Sequence, residues 1–210
     1  MPTDLILVCH GQSAQRQEGK LLGWWADVTL SDAGCKQALL IGVRLRDQFD
    51  VDALYTSPLR RAAQTADVIG RIVKVTPAVD PDLREIDSGD LADLSYEEAS
   101  TRYPDLILEG RVPPDGRLPG GESYAGLHRR AERAIDRTVQ RNAGRRVVVV
   151  THGGPIVAYL MAIMGYTWET PDRPRFQCDA ISMHHIRIDD GGQKTLVRLN
   201  DTAHLQEMPV

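Results

Sequence analysis

The sequence predicts an α/β fold in which helices cover a mixed, mostly parallel β-sheet. Three apolar runs have the length of buried strands: LILVC (5–9), ALYT (53–56) and VVVVT (147–151). A segment with helix-start signals follows each run, the alternation that is typical of parallel strands joined by helices. Near the C-terminus, AISMHHIRI and KTLVRL are joined by DDGGQ. This pattern predicts a hairpin, so at least one strand there should be antiparallel.

The helices are predicted to begin directly after the strands. SP (57–58) has the form of an N-cap followed by proline at the first helical position. The proline of GP (154–155) likewise indicates the start of a helix after the third apolar run. Apolar residues recur at three- and four-residue spacing over 123–142, which predicts an amphipathic crossover helix that leads into the third strand. VKVTPAV (73–79) resembles a short strand. Together these elements complete a sheet with helical connections.

Length and composition favour one domain, 1–210, without affinity for polyanions. No Ser/Gly-rich or Pro-rich linker divides the 210 residues, and the formal net charge of −4 gives no general attraction to nucleic acid or anionic membrane. No run approaches the roughly 18 apolar residues of a membrane span, and residues 1–20 lack a secretion signal. We therefore expect a cytoplasmic protein that binds neither nucleic acid nor membrane.

One stretch is rich in turn-forming residues. EGRVPPDGRLPGGES (109–123) combines repeated Pro and Gly, and we interpret it with the preceding 86–108 as a lid or specificity segment at about 86–121. The conformation of this segment does not follow from the sequence.

Polar residues lie where the three apolar runs end. They are Cys9, His10, Gly11, Gln12 and Ser13 after the first, Ser57 and Arg60 after the second, and His152, Gly153 and Gly154 after the third. Ligands of open parallel sheets bind beyond the carboxyl ends of the strands. If the three strands are neighbours, two histidines, one arginine and several backbone N–H groups converge there. Such a pocket suits a phosphate group.

The same residue types suit chemistry at phosphorus. A neutral imidazole attacks phosphorus through one nitrogen while a hydrogen bond to the other nitrogen fixes the tautomer, and His10 is placed for this role. Arg60, and His152 if protonated, could stabilise the charge that develops on the phosphoryl oxygens. Glu85, in DLREID, could protonate the leaving alkoxide if its pKa is raised.

Seven motifs together resemble the histidine phosphatase superfamily, also called the phosphoglycerate mutase-like family. They are LVCHGQS, LGWWADVTLSDAGCKQA, LYTSPLRRAAQTA, LREI, LPGGES, VVVVTHGG and the closing ND…HL, in the order of the family from about Asp4 to about Leu205. The resemblance implies a three-layer α/β/α fold that needs no metal or other cofactor. It also implies that His10 is the phosphohistidine nucleophile, that Glu85 is the proton donor, and that Arg60 and His152 lie in the phosphate pocket. We add Gly11, Gln12 and Gly153 to that pocket as backbone donors.

The resemblance favours hydrolysis of a small phosphorylated metabolite. The mutases of the family carry longer inserted segments, whereas a short lid is less able to keep a phosphorylated intermediate from water. A phosphoglycerate mutase-type phosphotransferase remains the alternative. The identity of the ester is not readable from the sequence. A homodimer is a candidate assembly because exposed sheet edges in such folds often pair.

The sequence departs from the family pattern at two positions of the first loop. The family has arginine immediately before the nucleophilic histidine, where this chain has Cys9, and asparagine six residues after it, where this chain has Arg16. Loss of one charge-assisted phosphate contact costs about 1.5–3 kcal/mol in binding, and loss of a transition-state donor about 10²–10³ in rate. We hypothesise that Arg16 supplies the missing guanidinium; the alternative is an exposed arginine.

Two other interpretations of the first loop remain. Cys9 could itself be a nucleophile with Arg16 at the far end of a phosphate loop, but six residues separate the two where cysteine phosphatases have five. The chain could also be a phosphate-binding protein that has lost turnover. Outside the loop, we interpret Cys35 and Cys178 as small buried hydrophobic residues and HRRAER as a charged helix face.

Overall fold

The computed structural model describes residues 1–14, 28–92, 94–106, 117–168, 170, 172 and 174–207. The strands are β1 (Thr3–Cys9), β2 (Ala53–Thr56), β3 (Ala78–Val79), β4 (Arg146–Thr151), β5 (Met183–Ile188) and β6 (Lys194–Asp201). The helices are α1 (Asp32–Gln48), α2 (Arg60–Val73), α3 (Tyr96–Arg102), α4 (Tyr124–Arg141) and α5 (Gly153–Ile163). Short 3₁₀ helices lie at Pro81–Leu83, Gly89–Leu91 and Ala203–Glu207.

The strands form one six-stranded sheet in the order β3-β2-β4-β1-β5-β6. The pairs β3–β2, β2–β4 and β4–β1 are parallel, and β5 is antiparallel to both β1 and β6. The predicted mixed, mostly parallel sheet and the predicted C-terminal hairpin are therefore confirmed.

Helices cover both faces of the sheet because the central strands are apolar on both sides. Leu5 and Leu7 of β1 are fully buried against residues of α4 and α5. Ile6 and Val8, which alternate with them, are fully buried against α1 and α2. Full burial of each such side chain contributes about 1.5–3 kcal/mol. The result is the three-layer α/β/α sandwich that the family resemblance implies.

The start of α2 differs from the prediction. The helix begins at Arg60 with Leu59 as its N-cap, whereas the sequence predicts a cap at Ser57. The reason is that Ser57, directly after β2, is still hydrogen-bonded to the neighbouring strand, since its N–H donates to the carbonyl of Val150 at 3.1 Å. Its hydroxyl accepts from the N–H of Leu59 at 3.3 Å and supports the turn into the helix.

Three strand ends meet at one edge of the sheet. Cys9 pairs with Thr151, and Thr56 pairs with Val150 in the same parallel ladder. The residues that follow β1, β2 and β4 are therefore neighbours, as the sequence predicts for a pocket at this edge. In the described part of the chain, no helix has the length and apolar character to cross a bilayer.

Candidate active site

Two histidines and an arginine are in contact where β1 and β4 end. The rings of His10 and His152 are arranged edge to face, with centroids 5.1 Å apart and planes at 61°. The Nε of Arg61 donates to Nε2 of His10 at 3.1 Å. His152 is the N-cap of α5, and Gly153 is the first residue of that helix. The predicted convergence of both histidines with an arginine is present, although the arginine is not the predicted one.

His10 is held in the tautomer that a nucleophile requires. Its Nδ1 lies 2.7 Å from the carbonyl oxygen of Gly11, so Nδ1 carries the hydrogen and donates it. Nε2 is then the unprotonated nitrogen and accepts from Arg61. Burial, together with the positive charge of Arg61, lowers the pKa of His10 to about 4. The imidazole is therefore neutral at neutral pH, and the lone pair of the unprotonated Nε2 is hydrogen-bonded to Arg61.

The arginine at this site is Arg61, and we correct the prediction that named Arg60. Arg60 is exposed, whereas Arg61 is 5% exposed and contacts His10. The helical period explains the difference, because successive residues point about 100° apart. Thr65 and Ile69, which are buried on α2, lie four and eight residues after Arg61 and share its face.

His152 is fully buried and hydrogen-bonded on one side. Its Nε2 lies 2.8 Å from the Oγ of Ser57, while its Nδ1 is buried and lacks a protein partner among the described residues. Burial, with the neighbouring His10 and Arg61, lowers the pKa of His152 well below its usual value. The prediction required a protonated His152. Burial instead favours the neutral ring, which can still donate one N–H when Nε2 accepts from Ser57.

Glu85 is fixed by two backbone N–H groups. Ile86 donates to its Oε1 at 2.9 Å and Gly154 donates to its Oε2 at 3.1 Å. A Cβ on residue 154 would collide with Oε1, so glycine is required there for the carboxyl to approach α5. Burial raises the pKa of Glu85 above its usual value despite these two donors, which lower it. The side chain can therefore hold a proton at a pH where an exposed carboxyl is ionised.

The backbone N–H groups that were predicted to bind phosphate after β1 donate instead to side chains of the protein. The N–H of Gly11 donates to Oγ1 of Thr65 at 3.1 Å, and the N–H of Gln12 donates to Oε1 of Gln37 at 2.9 Å. The same Thr65 hydroxyl donates to the carbonyl of Arg61 at 2.8 Å. We therefore correct the prediction that the Gly11 and Gln12 N–H groups face a phosphate. They instead lock the loop onto α1 and α2.

Arg130 clamps the segment that carries Glu85. Its guanidinium donates to the carbonyls of Asp82, Arg84 and Glu85 at 2.7, 2.9 and 3.2 Å, and it forms two hydrogen bonds with the carboxylate of Glu122. Arginine provides such a set because its five N–H donors have a fixed planar geometry. The prediction that HRRAER is only a charged helix face is wrong at this residue.

Replacing Arg130 with methionine is expected to lower the free energy of unfolding by about 2–4 kcal/mol. The change leaves a largely buried Glu122 carboxylate unpaired and removes the donor from three carbonyls. Urea unfolding followed by circular dichroism measures the effect. The matched control is Arg129→Met on the exposed side of the same helix, expected to change stability by less than about 0.5 kcal/mol. Equal losses in the two variants would contradict the clamp.

Cys9 lies in the core beside a second thiol. Its side chain is 5% exposed, and both its interaction with Cys178 and its burial raise the pKa of the Cys9 thiol. Cys178 is partly exposed and Cys35 is exposed, so the prediction of two buried cysteines is wrong for Cys35.

Arg16 lies outside the described residues, as do residues 107–116 of the predicted lid. Among the described residues, His, Cys, Asp and Glu side chains form no group of three that could hold a metal ion.

Comparison with known proteins identifies the family of the chain. Residues 5–202 match the histidine phosphatase superfamily (branch 1). Phosphoglycerate mutase-like protein 4 of Arabidopsis thaliana is 33% identical over 210 residues, covering 97% of this chain and 87% of that protein. Phosphoserine phosphatase 1 of Hydrogenobacter thermophilus is 31% identical over 211 residues, covering 98% and 96%. The structure of YhfR from Bacillus stearothermophilus superposes with a TM-score of 0.85 at 27% identity, covering 97% of this chain and 99% of that one. The chain belongs to the histidine phosphatase superfamily.

Proposed function

We propose that the protein is a metal-independent phosphomonoester hydrolase that acts on a small phosphorylated metabolite through a phosphohistidine intermediate. The observation that carries the proposal is the state of His10. Its Nδ1 donates to Gly11, its Nε2 is unprotonated, and the guanidinium of Arg61 lies 3.1 Å from that nitrogen. A neutral imidazole beside a permanent cation suits attack on a phosphate dianion.

In the first half-reaction, Nε2 of His10 attacks phosphorus, so that the P–N bond forms as the P–O bond to the alcohol breaks. Arg61 turns from Nε2 to the phosphoryl oxygens and neutralises charge that develops on them. Nδ1 of His152, which is buried and has no hydrogen-bond partner among the described residues, donates its N–H to the same oxygens. The protonated Glu85 carboxyl donates its proton to the leaving oxygen.

In the second half-reaction, water attacks the phosphorus of phosphohistidine. The Glu85 carboxylate takes a proton from this water, the P–N bond breaks, and inorganic phosphate leaves. Glu85 is then protonated again and His10 is neutral, so one cycle restores both groups. The two hydrogen bonds from Ile86 and Gly154 keep the carboxyl in one position for both proton transfers.

A cavity of about 410 Å³ adjoins Glu85 and is a candidate site for the alcohol part of the ester. Three arginines line it besides the clamp residue: Arg84, Arg117 and Arg129. Arginine binds carboxylate and phosphate in a bidentate manner. We therefore favour a substrate that carries a second anionic group. Relatives named as phosphoserine phosphatases are consistent with such an ester.

A panel of phosphate monoesters tests the proposal. It should pair esters that do and do not carry a carboxylate, with inorganic phosphate release as the readout. We expect release, with higher kcat/KM for the carboxylate-bearing member of each pair. Transfer of phosphate to 2- or 3-phosphoglycerate without release would support the mutase alternative. The relative from Arabidopsis, named as phosphoglycerate mutase-like, is the reason to include this test. Phosphate binding without either reaction would support a protein that has lost turnover.

Three variants test the consequences of having cysteine instead of arginine at position 9. We propose that turnover is reduced for lack of this guanidinium and that Arg16 compensates in part. If so, Arg16→Ala lowers both phosphate affinity and turnover, and an unchanged variant would contradict the compensation. Recovery of turnover in Cys9→Arg from an inactive native chain would favour the binding-protein interpretation. Retained turnover in Cys9→Ser excludes Cys9 as the nucleophile.

The pH dependence of kcat/KM is expected to be bell-shaped with an acidic maximum. Activity rises as pH increases through about 4, because His10 must lose its proton to attack. Activity falls as pH increases through the pKa of Glu85, which burial raises above the usual 4.5, because the proton donor is then lost. We expect Glu85→Gln to remove the falling limb and to slow alkyl esters more than aryl esters, whose leaving groups need less protonation. Parallel slowing of both ester classes would contradict proton donation by Glu85.

A further inference from the structure

Cys178 has no part in the proposed chemistry, yet its sulfur has the surroundings of a reactive thiol. Its Sγ lies 3.6 Å from Nε2 of His184 and 3.7 Å from Oγ of Ser182. Nδ1 of His184 accepts the backbone N–H of Asn200 at 3.2 Å, so the neutral ring carries its hydrogen on Nε2. That N–H is directed at the Cys178 sulfur and the Ser182 hydroxyl. Donors placed in this way stabilise a thiolate.

The beginning of α5 adds a second favourable influence. A Cβ on Gly153, the first residue of that helix, would lie 4.0 Å from Sγ of Cys178. Backbone N–H groups at a helix start favour negative charge, and low-pKa thiols are frequent there. Interaction with Cys9, and then with His184, lowers the pKa of Cys178 to about 5. Cys178 is also partly exposed.

The neighbouring thiol of Cys9 completes a pair. Cys9 is buried at the end of β1, and its backbone N–H donates to the carbonyl of Ser182 at 3.1 Å. This bond holds the end of β1 against the segment that carries Cys178. The side chain of Cys178 packs against the buried cluster to which Cys9 belongs, and the interaction of the two thiols raises the pKa of Cys9 and lowers that of Cys178. An accessible thiolate beside a second, buried thiol is the arrangement of a reactive and a resolving cysteine.

We propose that Cys178 and Cys9 form a reversible disulfide when hydrogen peroxide oxidises the protein. The Cys178 thiolate attacks one peroxide oxygen, the S–O bond forms, and the O–O bond breaks with release of hydroxide. The sulfur is oxidised by two electrons to sulfenic acid and the peroxide is reduced. Sulfur of Cys9 then attacks the Cys178 sulfur, the S–S bond forms, and hydroxide leaves with the proton of Cys9 as water. A dithiol reverses the step by thiol–disulfide exchange.

The disulfide lies next to the proposed nucleophile. Cys9 precedes His10 in the chain, and the carbonyl of His10 accepts the N–H of Ile181 at 3.0 Å. A disulfide holds its two sulfur atoms about 2.05 Å apart in a specific geometry, so its formation constrains the end of β1 that carries His10. Displacement of a reacting group by about 1 Å costs up to about a hundredfold in rate. We therefore expect oxidation to slow turnover, a consequence that rests on the proposed function, whereas the disulfide itself does not.

Peptide mapping under non-reducing conditions tests the disulfide directly. The full chain is treated with hydrogen peroxide, alkylated and digested. We expect a cross-linked peptide pair that contains Cys9 and Cys178, lighter by two hydrogen atoms than the sum of its parts and absent after dithiothreitol. Cys35→Ser, the matched control at the exposed cysteine, should form the same cross-link. Cys178→Ser should not, and circular dichroism should show that it is folded.

Two measurements can overturn the proposal. Oxidation of Cys178 to sulfinic acid with Cys9 still a free thiol would exclude the disulfide, whatever the protein catalyses. In a chain that releases phosphate from esters, peroxide should lower turnover by about tenfold to a hundredfold, and dithiothreitol should restore it. Equal loss of activity in native protein and Cys178→Ser would exclude this pair as the cause.

Discussion

His10→Asn is expected to lower kcat for phosphate release by about 10⁴-fold or more, with the fold intact. Asparagine retains a donor close to the position of Nδ1, so the hydrogen bond to the Gly11 carbonyl is kept, but it has no atom equivalent to Nε2. Loss of a covalent nucleophile in other hydrolases costs on the order of 10⁴–10⁶ in kcat. Steady-state phosphate release, with circular dichroism to verify folding, measures the effect.

The covalent intermediate provides the control for this variant. Rapid quenching of the native protein with substrate should place one phosphoryl group on the peptide that contains His10, and His10→Asn should carry none. Phosphorylation of a different residue, or retained turnover in the variant, would exclude His10 as the nucleophile. The mapping does not depend on which ester proves to be the best substrate, because every ester passes through the same intermediate.

Arg61→Ala is expected to lower kcat/KM by about 10²–10³, whereas Arg60→Ala should leave it within about twofold. The two residues are adjacent in α2, but Arg61 is buried beside His10 and Arg60 is exposed. Comparable losses in the two variants would contradict the assignment. Arg61→Lys should recover only part of the rate, because an ammonium group lacks the planar pair of donors that matches two phosphoryl oxygens.

The same pair of variants has a second readout in the pH profile. The positive charge of Arg61 is one of the causes that lower the pKa of His10. Removal of that charge raises the pKa of His10, so the acidic limb of kcat/KM moves to higher pH in Arg61→Ala and stays in place in Arg60→Ala. A variant that merely perturbed the packing of α2 would lower the rate without moving this limb.

Much of the fold and part of the site follow from the sequence for a simple reason. Strands of a parallel sheet run in one direction, so apolar runs that end in polar residues place those residues at one edge. His10 and His152 can be located in this way without knowledge of any contact. Glu85 was named as a candidate proton donor from its place in DLREID, and the resemblance to the family implies the same role. The structure adds the backbone donors that fix its carboxyl.

To choose between Arg60 and Arg61, one must know which side of α2 is buried. Ala62, Ala66 and Ile69 form the apolar side of α2, which is readable from the sequence, and Arg61 is buried on that side. The clamp of Arg130 was not readable, because its three carbonyl acceptors are 45 to 48 residues away and a backbone carbonyl has no signature in a sequence. The neutral state of His152 was equally inaccessible, since it depends on complete burial.

The hydroxyl of Thr65 joins two parts of the site that are far apart in the chain. It accepts the N–H of Gly11 at 3.1 Å and donates to the carbonyl of Arg61 at 2.8 Å. The spacing between imidazole and guanidinium is thus established during folding, before any ester arrives, and little reorganisation is needed at the moment of reaction.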